Sequence, residues 1–245
     1  MKTNRLLLIL ALAAVMTGCV KPKDPTEIRF SILGDSYSSF AGYVDPDTNA
    51  VYPYNEIGVT GAEQMWWAQV ADSLSWVIER NNSFSGSLVC NFNYVNYYGP
   101  YSFLRRMNSL GHPDVIFIFG ATNDASAHDS DFNPIVSLGD YVYEGWTEEQ
   151  LCTFRPACTY LFANLRDLYP NAKLYFLLDM DLGSGGITVE RRDAFIESIH
   201  YISNHYDVEC IDLRHIHKKN WHPDAKGQRD IARQVIEAIE ADFNV

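Results

Sequence analysis

The sequence has 245 residues, 47% of them hydrophobic, and its 31 acidic and 19 basic residues give a formal charge of −12 at pH 7. A chain of this length can build one domain with a substantial core, and no interior stretch rich in Pro, Gly or Ser divides it. The basic residues are scattered, whereas nucleic-acid binding needs a clustered basic face. The composition therefore argues against a nucleic-acid partner.

The first 18 residues have the features of a signal peptide. Lys2 and Arg5 precede an apolar run that is too short to cross a bilayer, and small residues follow it before Cys19. This ending resembles a bacterial lipobox, in which the cysteine becomes the lipid-modified N-terminus; a plain signal peptide with an incidental cysteine is the alternative. Loss of the two basic residues would change the formal charge to −14.

We therefore expect an exported protein, lipid-anchored to the bacterial cell envelope and facing the periplasm or the surface. The expected divisions are a signal peptide at 1–18, a lipidated tether at 19–26 and a domain at 27–245. Four further cysteines remain in the expected mature chain: Cys90, Cys152, Cys158 and Cys210. Disulfides can form after export, with three possible pairings, but a domain of this size also folds with free buried thiols. Both alternatives stay open.

Predicted strands alternate with predicted helices along the chain. The strands are placed at 28–33, 76–79, 115–119, 173–178 and 208–213, and the helices at 63–76, 101–110, 148–168, 189–205 and 226–242. Thr147 is expected to cap the helix that follows it. Two long connections, 41–61 and 125–146, are predicted to be functional loops because structureless segments of this length are uncommon in compact domains. The alternation predicts a parallel sheet with helices on both faces.

Three polar residues follow or face the ends of these predicted elements. Ser36 comes directly after the first strand, Asn123 after the central strand, and His222 just before the last helix. The carboxyl ends of parallel strands share one edge, so these residues can meet there. Serine, histidine and an amide are the types that acyl transfer needs as nucleophile, base and oxyanion donor. Taken singly, each would be an ordinary turn or helix-entry residue.

Four short motifs occur in an order that resembles the SGNH, or GDSL-type, hydrolase family of esterases, lipases and carbohydrate deacetylases. Gly34-Asp35-Ser36 matches the first block and the segment 81–86 the second. Asn123-Asp124 matches the third, and His222-Pro223 with Gly227 resembles the last. The resemblance covers nearly all of the expected mature domain.

The resemblance implies a three-layer α/β/α domain with a flavodoxin-like parallel sheet. It also implies a serine esterase in which Ser36 is the nucleophile and His222 the general base. The oxyanion hole would consist of the Ser36 and Gly86 backbone N–H groups and the Asn123 side chain. No cofactor and no metal is expected.

The chain departs from the family pattern beside the histidine. The family commonly has an aspartate three residues before it, and this chain has Lys219. The conventional triad acid is therefore missing. We expect a backbone carbonyl of the 218–221 turn to orient His222; a carboxylate from Asp179 or Asp181 is the alternative.

A second departure is Ala121, which occupies the glycine position of the third block. We expect its methyl group to be tolerated. Asp35 and Asp124 adjoin proposed catalytic residues, but we expect both to be structural. Two metal-like patterns, Asp45-x-Asp47-x-Asn49 and His215-x-His217, are not expected to bind a metal, because the first lacks the glycine of a calcium loop and the second lacks a third ligand.

The expected substrate is a short-chain, acetyl-type ester on carbohydrate. The anchored location and the aromatic residues of the edge loops favour it, since these could form a sugar-stacking rim: Tyr43, Tyr52, Tyr54, Tyr97, Tyr98, Trp146 and Trp221. The alternatives are a lipid-ester hydrolase and a non-catalytic glycan-binding lipoprotein on the same fold. A flavodoxin-like cofactor binder fits less well, because the first loop has no phosphate-binding pattern.

Overall fold

A computed structural model describes residues 26–44, 49–92, 101–126, 136–182 and 187–243. The predicted signal peptide, Cys19, the start of the calcium-like pattern, Tyr97 and Tyr98 lie outside these residues. Among the helices of the described residues, none is both long and apolar enough to cross a membrane.

Five parallel strands form the central sheet. They are β1 (Arg29–Gly34), β2 (Val77–Ser83), β3 (Val115–Phe119), β4 (Lys173–Asp179) and β5 (Glu209–Leu213). Their order in the sheet is β2-β1-β3-β4-β5, and every neighbouring pair is parallel. This order confirms the predicted flavodoxin-like sheet. The connections after β1 and after β2 run to opposite sides of β1, so the strand order reverses between β1 and β3 although all strands stay parallel. At such a point a crevice opens at the carboxyl edge, where sheets of this type bind ligands.

Within the described residues, six α-helices accompany the sheet: α1 (Trp66–Leu74), α2 (Phe103–Arg106), α3 (Thr122–Ala125), α4 (Phe154–Leu168), α5 (Val189–His205) and α6 (Ala225–Phe243). The buried strand β3 shows how the layers arise. Its residues Ile116 and Ile118 join a core cluster with α4 and α5, while Phe117 and Phe119 join a second cluster with α1 and α6. Alternate side chains therefore enter opposite faces, and the three-layer α/β/α prediction is confirmed.

Strand β2 is longer than predicted, because it continues through Asn81, Asn82 and Ser83, which composition assigns to a loop. These polar side chains are buried and find internal partners. The Asn81 side-chain amide donates to the Ser38 carbonyl at 3.0 Å, and that of Asn82 donates to the Arg106 carbonyl at 3.2 Å. Satisfied hydrogen bonds allow polar residues to extend a buried strand.

Three predicted helices are shorter than expected. The helix predicted at 63–76 covers only α1, the helix predicted at 101–110 covers only the four residues of α2, and the helix predicted from 148 begins at Phe154. Thr153 is extended and starts a new element, so Thr147 does not cap α4. The Thr147 hydroxyl instead accepts a hydrogen bond from the Gln150 N–H at 3.2 Å, ahead of the short 3-10 turn Gln150–Cys152, whose N-cap is Glu149. The predicted N-cap was therefore wrong.

A small antiparallel hairpin precedes α6. Its strands are β6 (Lys218–Lys219) and β7 (His222–Pro223), and the two linking residues, Asn220 and Trp221, have φ values of 50° and 66°. Positive φ at both positions is the pattern of a two-residue hairpin turn whose twist suits the strands. The hairpin brings His222 to the carboxyl edge of the sheet.

No disulfide joins the cysteines of the described residues, which are Cys90, Cys152, Cys158 and Cys210. Cys90 and Cys158 are buried, and burial raises the pKa of both thiols well above the usual value. Burial also raises the pKa of Cys210 to about 11. These thiols are therefore poor nucleophiles at neutral pH.

Candidate active site

The turn after β1 places Ser36 at the carboxyl edge. Asp35 is the N-cap of the 3-10 turn Ser36–Ser38, and its carboxylate accepts a hydrogen bond from the Tyr37 N–H at 3.0 Å. Its own N–H donates to the carbonyl of Phe119, the last residue of β3, at 3.2 Å. Burial raises the pKa of Asp35 to about 7. Asp35 is thus a structural cap, as predicted.

Gly34 is required by the close approach of the turn to β2. A Cβ atom at this position would lie 2.5 Å from the Ser83 hydroxyl oxygen and 3.0 Å from the Ser38 Cβ. Both are closer than atoms in van der Waals contact. The glycine of the first block therefore lets the turn that carries Ser36 fold back against the neighbouring strand.

Three buried side chains hold Ser38 at the end of this turn. The indole N–H of Trp66 donates to the Ser38 hydroxyl at 3.0 Å, and that of Trp67 donates to the Ser38 carbonyl, also at 3.0 Å. Asn81 donates to the same carbonyl. The two indoles belong to α1 and the amide to β2, so the turn is fixed from two elements at once.

The second block begins in the last residues of β2 and ends in the turn after it. Gly86 has a φ of 76°, in the left-handed region that favours glycine, and among the described residues its N–H has no hydrogen-bond acceptor. The next residue, Ser87, accepts a hydrogen bond on its carbonyl from the Asn123 side-chain amide at 3.0 Å. An amide nitrogen carries two N–H groups, so Asn123 keeps a second donor. The structure thus brings Gly86 and Asn123 together.

Asp124, next to Asn123, and Ala121, two residues before it, have structural roles. The buried Asp124 carboxylate accepts hydrogen bonds from the Val89 N–H at 2.9 Å and the Cys90 N–H at 3.2 Å, and burial raises its pKa to about 6. Ala121 has a φ of 72°, which explains why the resembled family has glycine there. The methyl group is accommodated in this left-handed conformation, as predicted.

The hairpin orients His222 through its own backbone. The Nδ1 atom of His222 lies 3.0 Å from the Asn220 carbonyl oxygen, an acceptor that requires the N–H on Nδ1 and leaves Nε2 as the basic nitrogen. Asp179 does not contact the imidazole, because its carboxylate pairs with the Lys218 ammonium at 2.5 Å and accepts from the Asp181 N–H at 3.0 Å. The expected backbone carbonyl, that of Asn220, therefore orients His222 in this structure.

Two tyrosines fix the hairpin on either side of the histidine. The Tyr37 hydroxyl donates to the Trp221 carbonyl at 3.1 Å, and the Tyr52 hydroxyl donates to the Pro223 carbonyl at 2.7 Å. Both rings also meet the imidazole edge to face, with centroids 5.9 and 6.4 Å from its own. Burial raises the pKa of both tyrosines, so they stay protonated donors.

The surroundings of His222 lower the pKa of its imidazole. Partial burial is the largest cause and the Lys218 charge adds to it, while the hydrogen bond to Asn220 opposes them. Lowering the pKa keeps the imidazole neutral over a wider range of pH, as a general base must be. Among the described residues no hydrogen bond joins the Ser36 hydroxyl to His222 Nε2. Tyr37 lies between the Ser36 turn and the hairpin. Hydrogen bonds between a nucleophile and its base often form fully only when substrate binds.

The predicted aromatic rim is smaller than the sequence suggests. Tyr52 is buried beneath the hairpin, and the Trp146 indole donates to the Thr159 hydroxyl on α4, so both are packing residues. Tyr43 and Trp221 remain 57% and 63% exposed. In the described part of the chain, no group of three His, Cys, Asp or Glu side chains could hold a metal.

Comparison with known proteins decides the family. The family model for GDSL-like lipases/acylhydrolases matches residues 28–239. The chain belongs to this family. It is therefore a hydrolase of ester bonds. No match was found among curated proteins.

Solved structures of GDSL-like proteins agree. A protein from Bacteroides ovatus ATCC 8483 described as a GDSL-like lipase is 42% identical, with a TM-score of 0.75, over 88% of this chain and 99% of that one. Another from Bacteroides uniformis ATCC 8492, also described as a GDSL-like lipase, is 36% identical, with a TM-score of 0.75, over 88% and 96%. A family two carbohydrate esterase from Clostridium thermocellum in complex with cellohexaose shares the fold at 16% identity, with a TM-score of 0.59, over 91% and 66%.

For this GDSL-like chain, motif analysis finds residues that follow strand ends and misses those that support them. Four residues that contact the candidate site belong to no recognisable motif: Tyr37, Tyr52, Lys218 and Arg106. Tyr37 carried a signal, since it directly follows Ser36 and had to lie at the same edge, and Tyr52 was expected at that edge as a member of the aromatic rim.

Proposed function

We propose that this protein is a serine esterase that removes short acyl groups, acetyl in particular, from carbohydrate, and that Ser36 and His222 form its catalytic dyad. The observation that carries the proposal is the hydrogen bond between His222 Nδ1 and the Asn220 carbonyl beside the Ser36 turn. This carbonyl fixes the imidazole in the tautomer that a general base needs.

In the first half-reaction the Ser36 hydroxyl oxygen attacks the ester carbonyl carbon while His222 Nε2 takes the hydroxyl proton. The tetrahedral oxyanion accepts hydrogen bonds from the Ser36 and Gly86 N–H groups and from Asn123. The carbon–oxygen bond to the sugar then breaks, and His222 returns its proton to the leaving alcohol. In the second half-reaction His222 deprotonates a water molecule, which attacks the acyl-serine and releases the acid and free Ser36.

The carbohydrate part of the proposal is supported by exposed aromatic surface. Trp221 is the turn residue next to His222, and its indole is 63% exposed although large apolar side chains are usually buried. A flat aromatic face suits the apolar face of a pyranose ring. The cellohexaose-bound carbohydrate esterase from Clostridium thermocellum shares the fold, and an envelope location would place the protein among glycans.

Labelling with a fluorophosphonate, followed by intact mass measurement, tests the catalytic part. The wild type should gain one adduct and hydrolyse 4-nitrophenyl acetate faster than the butyrate or octanoate. Ser36→Ala should lose both the adduct and the turnover. Ser109→Ala is the control, since it removes an exposed hydroxyl that, among the described residues, bonds only its neighbour Asn108 and none of the proposed catalytic residues. A folded wild type without adduct or turnover would instead support the glycan-binding alternative, which the missing aspartate favours.

Anchoring is a separate part of the proposal. We propose that Cys19 is lipidated and that the mature protein partitions into the detergent phase, because residues 1–19 have the basic, apolar and small-Cys order of a lipoprotein signal. Cys19→Ser should shift the protein to the aqueous phase. Membrane association that survives this substitution would show that the anchor lies elsewhere.

A further inference from the structure

A buried arginine lies beneath the candidate active site. Arg106 is the last residue of α2 and is 5% exposed. Its Nη2 donates to the Gly34 carbonyl at 3.0 Å and to the Ser87 hydroxyl at 2.9 Å. Its Nη1 donates to the Asn82 carbonyl and side chain, and its Nε donates to the Tyr101 carbonyl at 2.7 Å. One guanidinium thus joins α2 to β1, to β2 and to the turn after β2.

The charge of Arg106 is not paired in the usual way. Within the described part of the chain, no carboxylate lies within ion-pair distance of its guanidinium, and its acceptors are carbonyls, an amide and a hydroxyl. Burial lowers its pKa to about 9, and the attraction of the buried Asp35 carboxylate, which does not pair with it directly, opposes that shift; Arg106 therefore stays charged at neutral pH. Burying a cation without a directly paired carboxylate is costly compared with burying an apolar side chain, so stability alone does not account for the residue.

The contacts of Arg106 lead to all three proposed oxyanion donors. The Gly34 carbonyl lies two residues before the Ser36 N–H, and Ser87 directly follows the Gly86 N–H. The Ser87 carbonyl also accepts the hydrogen bond from the Asn123 amide. Ser87 therefore links the two residues, because its hydroxyl accepts a hydrogen bond from Arg106 and its carbonyl accepts one from the Asn123 amide.

We infer that Arg106 is a positioning residue for the oxyanion hole, which sets the separation between the Ser36 turn and the Gly86–Ser87 turn. The inference rests on the proposed function of Ser36, Gly86 and Asn123. A single Nη2 atom bridges the two turns, and a planar guanidinium holds such a bridge in a fixed direction. A lysine keeps the charge but cannot reproduce the five donors of the guanidinium.

Two variants test the inference, with one matched control. Arg106→Lys should lower kcat by roughly tenfold to a hundredfold, less than the roughly 10²–10³-fold loss from deleting an oxyanion donor, with KM unchanged. Ser87→Ala removes one Arg106 contact and should lower kcat by roughly threefold to tenfold. Arg166→Lys is the control, because Arg166 also donates to carbonyls, those of Tyr206 and Ala172, at the opposite edge of the sheet. Its kcat should match the wild type.

Coupling to Asn123 separates positioning from general stability. In the Asn123→Ala background, Ser87→Ala should lower kcat by a smaller factor than it does in the wild type. The Asn123 amide, which Ser87→Ala would displace, is already absent in that background. Additive losses, or a fall in melting temperature with kcat unchanged, would overturn the inference. If Arg106→Lys does not fold, Ser87→Ala decides alone. Failure of the proposed function has a different result: either the folded wild type shows no fluorophosphonate adduct and no turnover, or Ser36→Ala keeps both.

Discussion

The turn that carries Ser36 and the hairpin that carries His222 are built in opposite ways. Asp35, Ser36 and Ser38 are buried, and the turn accepts hydrogen bonds from Trp66, Trp67 and other buried donors. The hairpin has strands of two residues each and an exposed tip, and its buried anchors come from Tyr37, Tyr52 and Lys218. Exposed hydrogen bonds from Lys219 to the Glu56 carbonyl and from Asn220 to the Tyr54 hydroxyl add to them.

This contrast distinguishes catalytic groups that the buried core positions from the one group that a short hairpin positions. The proposed nucleophile and oxyanion donors take their positions from buried elements, so they are preorganised once the protein folds. The proposed base takes its orientation from a few contacts of a short hairpin and its lowered pKa mainly from partial burial. Changes at the hairpin that spare the buried Lys218–Asp179 ion pair should therefore alter the rate and its pH dependence more than the free energy of unfolding.

The largest expected effect tests the preorganised side of the comparison. Asn123→Ala should lower kcat by roughly 10²–10³-fold, the loss expected for one oxyanion donor. The fold should survive, because only the hydrogen bond to the Ser87 carbonyl is lost. Steady-state kinetics on soluble esters, with thermal unfolding alongside, measure both. Unchanged turnover would reassign Asn123 to a purely structural role in its turn.

The next effect tests how far the hairpin depends on its anchors. Tyr37→Phe keeps the ring against His222 and removes the hydroxyl that binds the Trp221 carbonyl. We expect kcat to fall by roughly threefold to tenfold, the worth of one hydrogen bond. Tyr175→Phe is the control, because its hydroxyl bonds Asp242 away from the hairpin. Equal losses of kcat in the two variants would contradict a specific role for Tyr37.

A smaller effect concerns the pH dependence of the base. The Lys218 charge helps to lower the pKa of His222, and activity is lost when the imidazole is protonated as pH falls. Lys218→Gln removes that charge, so the pKa rises and the acid limb of kcat/KM should move to higher pH. Lys219→Gln removes the same charge from an exposed neighbour and should leave the limb in place. A shift of the limb to lower pH would contradict this assignment.

A still smaller effect on turnover is expected at Asp179. Asp179→Asn should keep most of the wild-type kcat, because its carboxylate binds Lys218 and not the imidazole. Stability should fall, since a buried ion pair loses one partner. Asp181→Asn serves as the control on the neighbouring residue. A loss near 10⁴-fold, the size seen when a triad aspartate is neutralised, would identify Asp179 as a relocated acid.

The smallest effect is expected at Ala121. Ala121→Gly relieves about 1–2 kcal/mol of strain from the left-handed backbone conformation. Two losses oppose this gain: the greater conformational entropy of glycine stabilises the unfolded chain by about 0.4–1 kcal/mol, and the lost burial of one methyl group costs about 0.8 kcal/mol. The free energy of unfolding should change by less than about 1 kcal/mol, and kcat should stay the same. Urea unfolding measures this. Ala125→Gly, a helical control without that strain, should be clearly destabilising.

The sequence by itself determined the frame of this protein. The buried run Val115–Phe119 could only be a covered strand, and α5 was predicted with the bounds that the structure gives it. Alternating strands and helices fixed the parallel sheet and hence the edge where Ser36, Asn123 and the hairpin meet. These are local patterns, and hydrophobic periodicity and chain order report them directly.

Only the tertiary structure decided what surrounds that frame. The continuation of β2 through Asn81, the acceptor at Asn220 and the anchors from Tyr37 and Tyr52 each depend on partners that are distant in sequence or on φ values that no motif encodes. Arg106 is the clearest case, because nothing near it predicts burial of its charge. Its acceptors lie at Gly34, Asn82 and Ser87, and only folding brings them around one guanidinium.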